Sequence, residues 1–360
     1  MHFRPRTAII YLCWNNLRHL PEVVASWEKL DYPKDRMTIV ILPAHSPDGV
    51  ADVIRRDVLP RSGKDLPEIV VIDEENRGFT VNNNVGLRWA LEQGYDYVYL
   101  QNGDLQLDVA AISEAVKIGE ADEKIGAVQS LVCFWNDHEK VNTSGGMVHV
   151  AGYGFARDNG KRLADVSIVD GSEIAYASGA AVLYRVDALK KVGLFDEGFF
   201  MYHDDLELGL RLKIAGYKNV IATQSKTYHD YQFGRTTKMF LWIEMNRYIV
   251  LLAYLRLRTI LFLAPLWFAI EIGGWFMFVR SGNIFVKLRA VRLWLSPKPW
   301  RLIASMRRRA QSLRTISDRE LTKLWTGKIE AQEMPNIFLE RIANPVVDGI
   351  WQVLKKCLVW

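Results

Sequence analysis

Residues 81–104 read VNNNVGLRWALEQGYDYVYLQNGD, and the fold turns on how that stretch divides. Val85, Leu87, Trp89, Ala90 and Leu91 form the apolar part of a helix, and the loop before it, DEENRGF, carries the Asn and Gly donors that favour an anion at a helix start. YVYLQ follows as a short β-rich run, and Asn-Gly-Asp closes it, with Gly103 permitting a tight turn and Asp104 standing just past the strand. The same alternation runs upstream through AIIYLCW, LPEVVASWEKL, MTIVIL, VADVIRRDVL and EIVVID. Strand and helix repeated in this way predict an α/β domain with a mostly parallel, Rossmann-like sheet and helices on both faces. Ligands of such sheets sit at the carboxyl ends of the strands. The polar residues there are Asn15 and Asn16, His45 to Asp48, Asp73 to Asn76, and Asn102 to Asp104. Residues 126–185 are richer in Gly, Ser and short β-like runs, which suits a mixed extension of the sheet with loops around a second substrate.

Asp104 at a strand end is a corner for a hard divalent cation and a diphosphate, since such an ion takes one or two carboxylates and fills its shell with phosphate oxygens and water. A plain turn has the same spelling. A second acidic group lies in FFMYHDDLELGLRLKIAGY, residues 199–217. Leu206, Leu210 and Ile214, widened by Leu208 and Leu212, predict a helix from about Asp204. Asp205 and Glu207 then diverge by about 200° and cannot face one pocket. Glu207, four before Arg211, reads as an exposed i,i+4 partner. Asp204 or Asp205 is left for chemistry, or for an N-cap.

The 360-residue chain has 49% hydrophobic and 24% charged residues, 12 Trp, and three cysteines with neither CxxC nor Cys/His metal spacing, so a disulfide scaffold or structural zinc is excluded and a reducing, cytosolic setting fits. The basic start with its short apolar stretch reads as a first strand, not a signal peptide. Residues 259–279, TILFLAPLWFAIEIGGWFMFV, carry one charge, Glu271, and are long enough to span a bilayer. Residues 280–315 hold ten Lys and Arg and no acid, leaving the rest of this net +5 chain at −5. A single crossing would put the α/β domain and the basic stretch on opposite sides, against the positive-inside tendency. Pro265 and Gly273-Gly274 interrupt the run, so a broken or in-plane membrane helix is expected, followed by an interfacial segment facing anionic lipid; the alternative is a core helix or dimer interface. Nucleic acid is excluded by the charge distribution. The divisions expected are 1–247 catalytic, 248–280 membrane-associated and 281–360 basic and helical, on the cytoplasmic face of a membrane, with a homo-oligomer possible.

NRGFTVNNNVGL, YVYLQNGD, ASGAAVLYRVDALKKVGLFDEGFFMYHDDLELGLRLKIAGY and YHDY occur in the order found in inverting glycosyltransferases of family 2, and the chain resembles the rhamnosyltransferase-like branch over about residues 7–247. The resemblance implies an A-type glycosyltransferase fold, a nucleotide-sugar donor, Mg2+ or Mn2+, and a lipid-linked or glycan acceptor. By that resemblance Asp104 matches the last Asp of an Asp-x-Asp-like metal motif, with Asn102 at its first position. Asp205 matches the general base, with Asp204 in place of a Glu. Asn15, Asp48, Asn76, Gly78 and Asn84 fall in donor motifs, Ser178 and Gly179 on the acceptor side, and His229 near the donor diphosphate or metal. LPAHSPDG departs from the family's Val-Asp-Asn-x-Ser-x-Asp-Gly, so Pro43 stands where an Asp contacts the base. Phe199, Phe200 and Tyr202 are expected around the base, raising its proton affinity or offering an apolar sugar face. Two rivals stay open. A nucleotidyltransferase would need a Gly-rich, basic first loop, which YLCWNNLRHL lacks; a non-catalytic membrane-bound binding module is the other.

Overall fold

The computed structural model describes residues 4–199, 201–231, 237–329 and 337–360. The predicted alternation is present: β1 (Thr7–Leu12), α1 (Leu20–Glu28), β2 (Met37–Leu42), the short α2 (Val50–Val53), β3 (Glu68–Val71), α3 (Phe79–Glu92) and β4 (Tyr97–Asn102). Then come β5 (Leu105–Leu107), α4 (Ala111–Glu120), β6 (Ile125–Phe134), β7 (Asp137–Thr143), β8 (Gly146–Val148), β9 (Gly154–Ala156), β10 (Ala181–Arg185), α5 (Val186–Val192), α6 (Asp204–Ile214) and β11 (Lys218–His229). The nine-stranded sheet has the order β3-β2-β1-β4-β10-β6-β11-β5, with β7 beside β6, while β8 and β9 pair separately. β10, β5 and β7 run antiparallel to their neighbours; the other pairings are parallel.

Strands buried on both faces read as unbroken apolar runs. Ile9, Ile39 and Tyr99 face Leu20, Val23 and Trp27 of α1 and Ile112 of α4. Ile10, Val40 and Leu100 face Leu87 of α3, Leu189 of α5 and Leu208 and Leu212 of α6. At the centre, Leu12 of β1 is level with Leu42 of β2 on one side and Asn102 of β4 on the other. The strand order reverses here, which leaves a crevice outside the carboxyl ends.

The rest is helical: α7 (Thr237–Tyr254), α8 (Leu257–Arg280), α9 (Ile284–Trp294), α10 (Pro297–Leu313), α11 (Asp318–Leu321) and α12 (Asn344–Cys357). Leu206, Leu210 and Ile214, on the far side of α6, share a core with Ile249 and Leu251 of α7, Leu263 and Trp267 of α8, Met306 of α10 and Trp351 of α12. α6 is therefore clamped between sheet and helical wrap, which corrects one expectation. Glu207 and Arg211 do pair, at 2.7 Å, but both side chains are 0% exposed, because α7 and α10 cover that face. Tyr254 donates to Glu207, and Arg309 reaches it at 3.2 Å and Asp196 at 2.5 Å.

The expected break in the apolar helix is absent as well. α8 runs unbroken through Pro265 and Gly273-Gly274; proline removes one backbone hydrogen bond, and burial of Leu263, Leu266 and Trp267 holds the helix through it. Its one acid, Glu271, turns inward to Arg247 at 2.5 Å, Lys287 at 2.7 Å and the Tyr248 hydroxyl at 2.8 Å. Leu257, Leu261, Phe268, Ile272 and Phe276 point outward, each more than half exposed.

Candidate active site

Two chambers open at the strand ends. The first, about 410 Å³, is lined by Asp204, Asp205, Ser178, Gly179, Tyr202 and His203. The second, about 420 Å³, is lined by Asn15, Asn16, Arg18, His19, Asp104 and Asp230. Asn102, His229 and Tyr231 line both, so the chambers form one cleft, with Asp205 toward one end and Asp104 toward the other.

The acid chamber is set by the entry into α6. Tyr202 and His203 both take left-handed backbone, φ 62° and 65°, a conformation that costs energy in a non-glycine residue and clusters at functional sites. The two carboxyls follow at once. Asp205 Oδ2 accepts from the Gly179 amide at 3.2 Å, and Oδ1 from the Leu206 amide at 2.7 Å. A Cβ on Gly179 would lie 3.0 Å from the Phe79 ring and 3.7 Å from Asp205 Cβ, so only glycine brings that amide so near without displacing the ring. Burial pushes the Asp205 carboxyl well above the ordinary carboxylate range, and the two amides offset only part of that rise. Asp204 is raised too, by burial first and then by repulsion from Asp205. Among the described residues, no Lys or Arg is among the groups that act most strongly on either. His203 beside them is buried, its imidazole pushed down to about 4 by desolvation. It is therefore neutral, donates from Nε2 to the Gly152 carbonyl at 2.9 Å, and leaves Nδ1 without a hydrogen-bond partner among the described residues.

In the strand-end chamber, His229 Nε2 lies 3.1 Å from Asp104 Oδ1, and its Nδ1 lies 3.3 Å from Asn142 Oδ1. Burial would raise the Asp104 carboxyl, but the His229 hydrogen bond and charge outweigh it and hold it below the ordinary value. Gly103 is required by proximity: a Cβ there would fall 2.4 Å from Asn16 Oδ1 and 3.0 Å from the Leu12 carbonyl oxygen. Opposite, Asp230 takes Arg18 at 2.8 Å and His19 Nε2 at 2.9 Å. Asp104 and His229 offer one carboxylate and one imidazole. Among the described residues no group of three or more His, Cys, Asp and Glu is placed to hold a metal ion. A two-donor corner fits an ion that draws its other ligands from a diphosphate and water.

The other predicted positions divide. Asn15, φ 57°, lines the strand-end chamber and donates its amide to Ser46 Oγ at 2.8 Å. Ser178 lines the acid chamber, its amide on Gln129. Asp48 lines neither chamber. It accepts from the Leu17 amide at 2.8 Å, Ser46 Oγ at 2.7 Å and the Val50 amide at 3.2 Å, tying the loops after β1 and β2 together. Asn76 accepts from the Gly78 amide at 3.0 Å, and Gly78 opens α3. Asn84 is spent on both backbone groups of Phe195 and on Glu197. Phe199 faces away from the acid chamber, into a groove beside α7 and α10, whereas Tyr202 lines the chamber; Phe200 lies outside the described residues. Sequence reasoning did not single out Arg18, His19, His203 or Asp230. Asp230 was adjacent to a chosen residue in YHDY, and Arg18 and His19 follow the first strand by a few positions; that proximity was the available signal.

Residues 5–249 match the model of the family described as "Glycosyltransferase like family 2". A stretch of 56 residues is 39% identical to N-acetylglucosaminyl-diphospho-decaprenol L-rhamnosyltransferase of Mycobacterium tuberculosis, covering 16% of this chain and 18% of that protein. Another of 51 residues is 33% identical to procollagen galactosyltransferase 1 of Danio rerio, covering 14% of this chain and 8% of that one. The aligned stretches thus span less than a fifth of either relative. Among solved structures, the mannosyltransferase PcManGT of Pyrobaculum calidifontis in complex with GDP-Man and Mn2+ superposes with TM-score 0.50 at 16% identity, covering 99% of this chain and 86% of that one. GalNAc-T7 with UDP, GalNAc and Mn2+ gives TM-score 0.54 at 14% identity over 69% of this chain and 49% of that one. These likenesses bear on the fold, which is the A-type glycosyltransferase fold, and the family match extends from β1 into α7. The chain belongs to glycosyltransferase family 2.

Proposed function

We propose that the protein is an inverting, metal-dependent hexosyltransferase, moving rhamnose or another hexose from a nucleotide-sugar donor to a hydroxyl of a lipid-linked or polysaccharide acceptor in cell-wall or polysaccharide assembly. The observation that carries this reading is the continuity of the cleft, since Asn102, His229 and Tyr231 line both chambers. A sugar seated against them would have a carboxylate on one side and a diphosphate corner on the other. In this mechanism the acceptor hydroxyl gives its proton to Asp205 as its oxygen bonds to the anomeric carbon; the bond from that carbon to the diphosphate oxygen breaks, and the configuration inverts. A general base must lie within about 2.6–3.2 Å of the attacking hydroxyl in the bound complex. Burial suits Asp205 to that role, because a carboxylate with raised proton affinity takes a proton more readily. Asp104 and His229 would hold Mg2+ or Mn2+, which when bound supplies positive charge beside the departing diphosphate. Arg18 and His19 are placed to face the same phosphates. The Mn2+ in the two solved neighbours supports the metal reading.

The same proposal seats the protein as a monotopic enzyme on the cytoplasmic face of a membrane, its catalytic part in residues 1–247, with 248–280 lying in the membrane plane and 281–360 as the basic helical region. Of the described helices, α8 alone is long and apolar enough to cross a bilayer, and only 17% of its most apolar window is buried. Two features favour the in-plane arrangement: Trp267 Nε1 donates to the Val150 carbonyl at 2.9 Å, and Glu271 is tied to α7 and α9. The helix is docked along one side, and its free side is apolar. Incubation with a panel of nucleotide sugars and Mn2+, read by mass spectrometry, tests the activity. Consumption of one donor is the expected result; no consumption of any would leave a non-catalytic binding module as the reading.

A further inference from the structure

A second concavity, about 300 Å³, lies between α3, the loop at Glu197–Phe199 and helices α7, α9 and α10. Arg77, Thr80, Trp242, Asn246, Lys298 and Leu302 form its walls, and nothing in the reaction described above uses it. We propose that this groove holds the head-proximal part of the acceptor's lipid, an apolar chain joined to a phosphate or diphosphate whose sugar lies in the acid chamber. The inference rests on the glycosyl-transfer reading and names where its acceptor binds.

Three observations support that occupant. The partition between groove and acid chamber is thin: Phe79 lines the chamber and Thr80 the groove, while Phe199 lines the groove and Met201 the chamber. Asn246 stands in the groove wall and donates from Nδ2 to the carbonyls of Met201 and Tyr202, at 3.0 and 2.9 Å, so a molecule in the groove touches the residue that braces the loop before Asp204. Second, the groove is charged in the sense an anion needs. Arg77, which also pairs with Glu74 at 3.4 Å, and Lys298 are exposed side chains among its lining. Glu197, its only carboxylate among the described lining residues, is engaged by Asn84 at 3.0 Å and Arg88 at 3.3 Å. Third, Leu293 and Ser296 in its wall flank Leu295, 84% exposed, and Trp300 lies just beyond. A chain leaving the groove past Ser296 would meet these two exposed apolar side chains. The volume is at the low end of small-molecule sites, so it would take the first units of a long chain while the remainder stays in lipid.

The test uses the full chain on phosphatidylcholine vesicles with geranylgeranyl diphosphate bearing a diazirine on the isoprene unit next to the diphosphate. Photolysis is expected to label peptides containing Trp242 or Leu302. Leu302→Trp, which fills the groove, should abolish that label, and Leu302→Met should keep it. Arg77→Ala with Lys298→Ala, both surface changes with little bearing on folding, should raise the half-saturating probe concentration about tenfold through lost charge-assisted contacts. Labelling confined to α8 or α12, or labelling displaced equally by phosphatidylglycerol, would overturn the proposal. Donor turnover is followed in parallel. Donor consumption without groove labelling rejects the groove and leaves glycosyl transfer standing; groove labelling with no donor consumed does the reverse.

Discussion

The opening turns of α6 carry three carboxylates, the half-buried Asp205 and the buried Asp204 and Glu207, that face two regions of the molecule and are treated in opposite ways. Toward the cleft, Asp204 and Asp205 meet no cation among the described residues and have raised proton affinity. Toward the helical wrap, Glu207 is held by Arg211 at 2.7 Å, by Arg309 at 3.2 Å and by the Tyr254 hydroxyl. Burying a charge is costly, and a neutralised carboxylate secures geometry, whereas one left unpaired stays ready to exchange a proton. One short helix thus holds the reacting group and the clamp that fixes its position. If the comparison is right, substitutions on the cleft side change rate, and those on the wrap side change stability.

The largest effect falls on the cleft side. Asp205→Asn should lower transfer by about 10²–10⁴-fold, the usual worth of a general base, with the donor still binding when followed by calorimetry. Turnover at the wild-type rate would break the assignment. On the wrap side, Glu207→Ala strands Arg211, itself 0% exposed, and should cost about 3–5 kcal/mol in denaturant unfolding, as expected for half of a buried pair. Unchanged stability there would restore the picture of a solvated face.

That picture was what the sequence offered, and its failure shows where reading stopped. An i,i+4 Glu–Arg pair is spelled alike whether water or protein covers it; the cover over Glu207 comes from Tyr254 and Arg309, residues 47 and 102 positions away. The central strands β1, β2 and β4 were legible because burial on both faces leaves them apolar runs, and MTIVIL coincides with β2 at both ends. Asp104 was legible because polar residues just past such strands lie where ligands collect. The start of α6 was legible from its leucines, although not that Leu208 and Leu212 serve the sheet while Leu206, Leu210 and Ile214 serve the wrap. Asp48 and Asn84 were chosen by motif, but the residues they hold, Leu17 and Phe195, become neighbours only on folding. Arg18 and His19 resembled any solvated turn until Asp230, more than 200 positions on, met them.

A smaller effect sharpens the wrap side. Tyr254→Phe removes only the hydroxyl donated to Glu207 and leaves both arginines in place, so it should cost about 1.5–3 kcal/mol, the range for a hydrogen bond to a charged group. The loss should appear as a lower unfolding midpoint, with the pH profile of transfer keeping its shape. A shifted profile would mean that the two sides of the helix are electrically coupled.

The smallest effect separates the two aspartates themselves. A base works ionised, so raised proton affinity means that transfer declines as pH falls through a midpoint above the ordinary carboxylate value of about 4. Burial is the leading cause of that rise in both aspartates, and the repulsion between them adds to it as the pair titrates together. Asparagine at 204 removes that repulsion and leaves the leading cause, the burial around Asp205, in place. Asp204→Asn should therefore move the acid limb of the rate profile by less than about half a pH unit. A fall of a full unit or more would show that the neighbour's charge, rather than the dry wall of the cleft, sets the base, and would transfer to Asp204 an electrostatic role that the burial of Asp205 makes unnecessary.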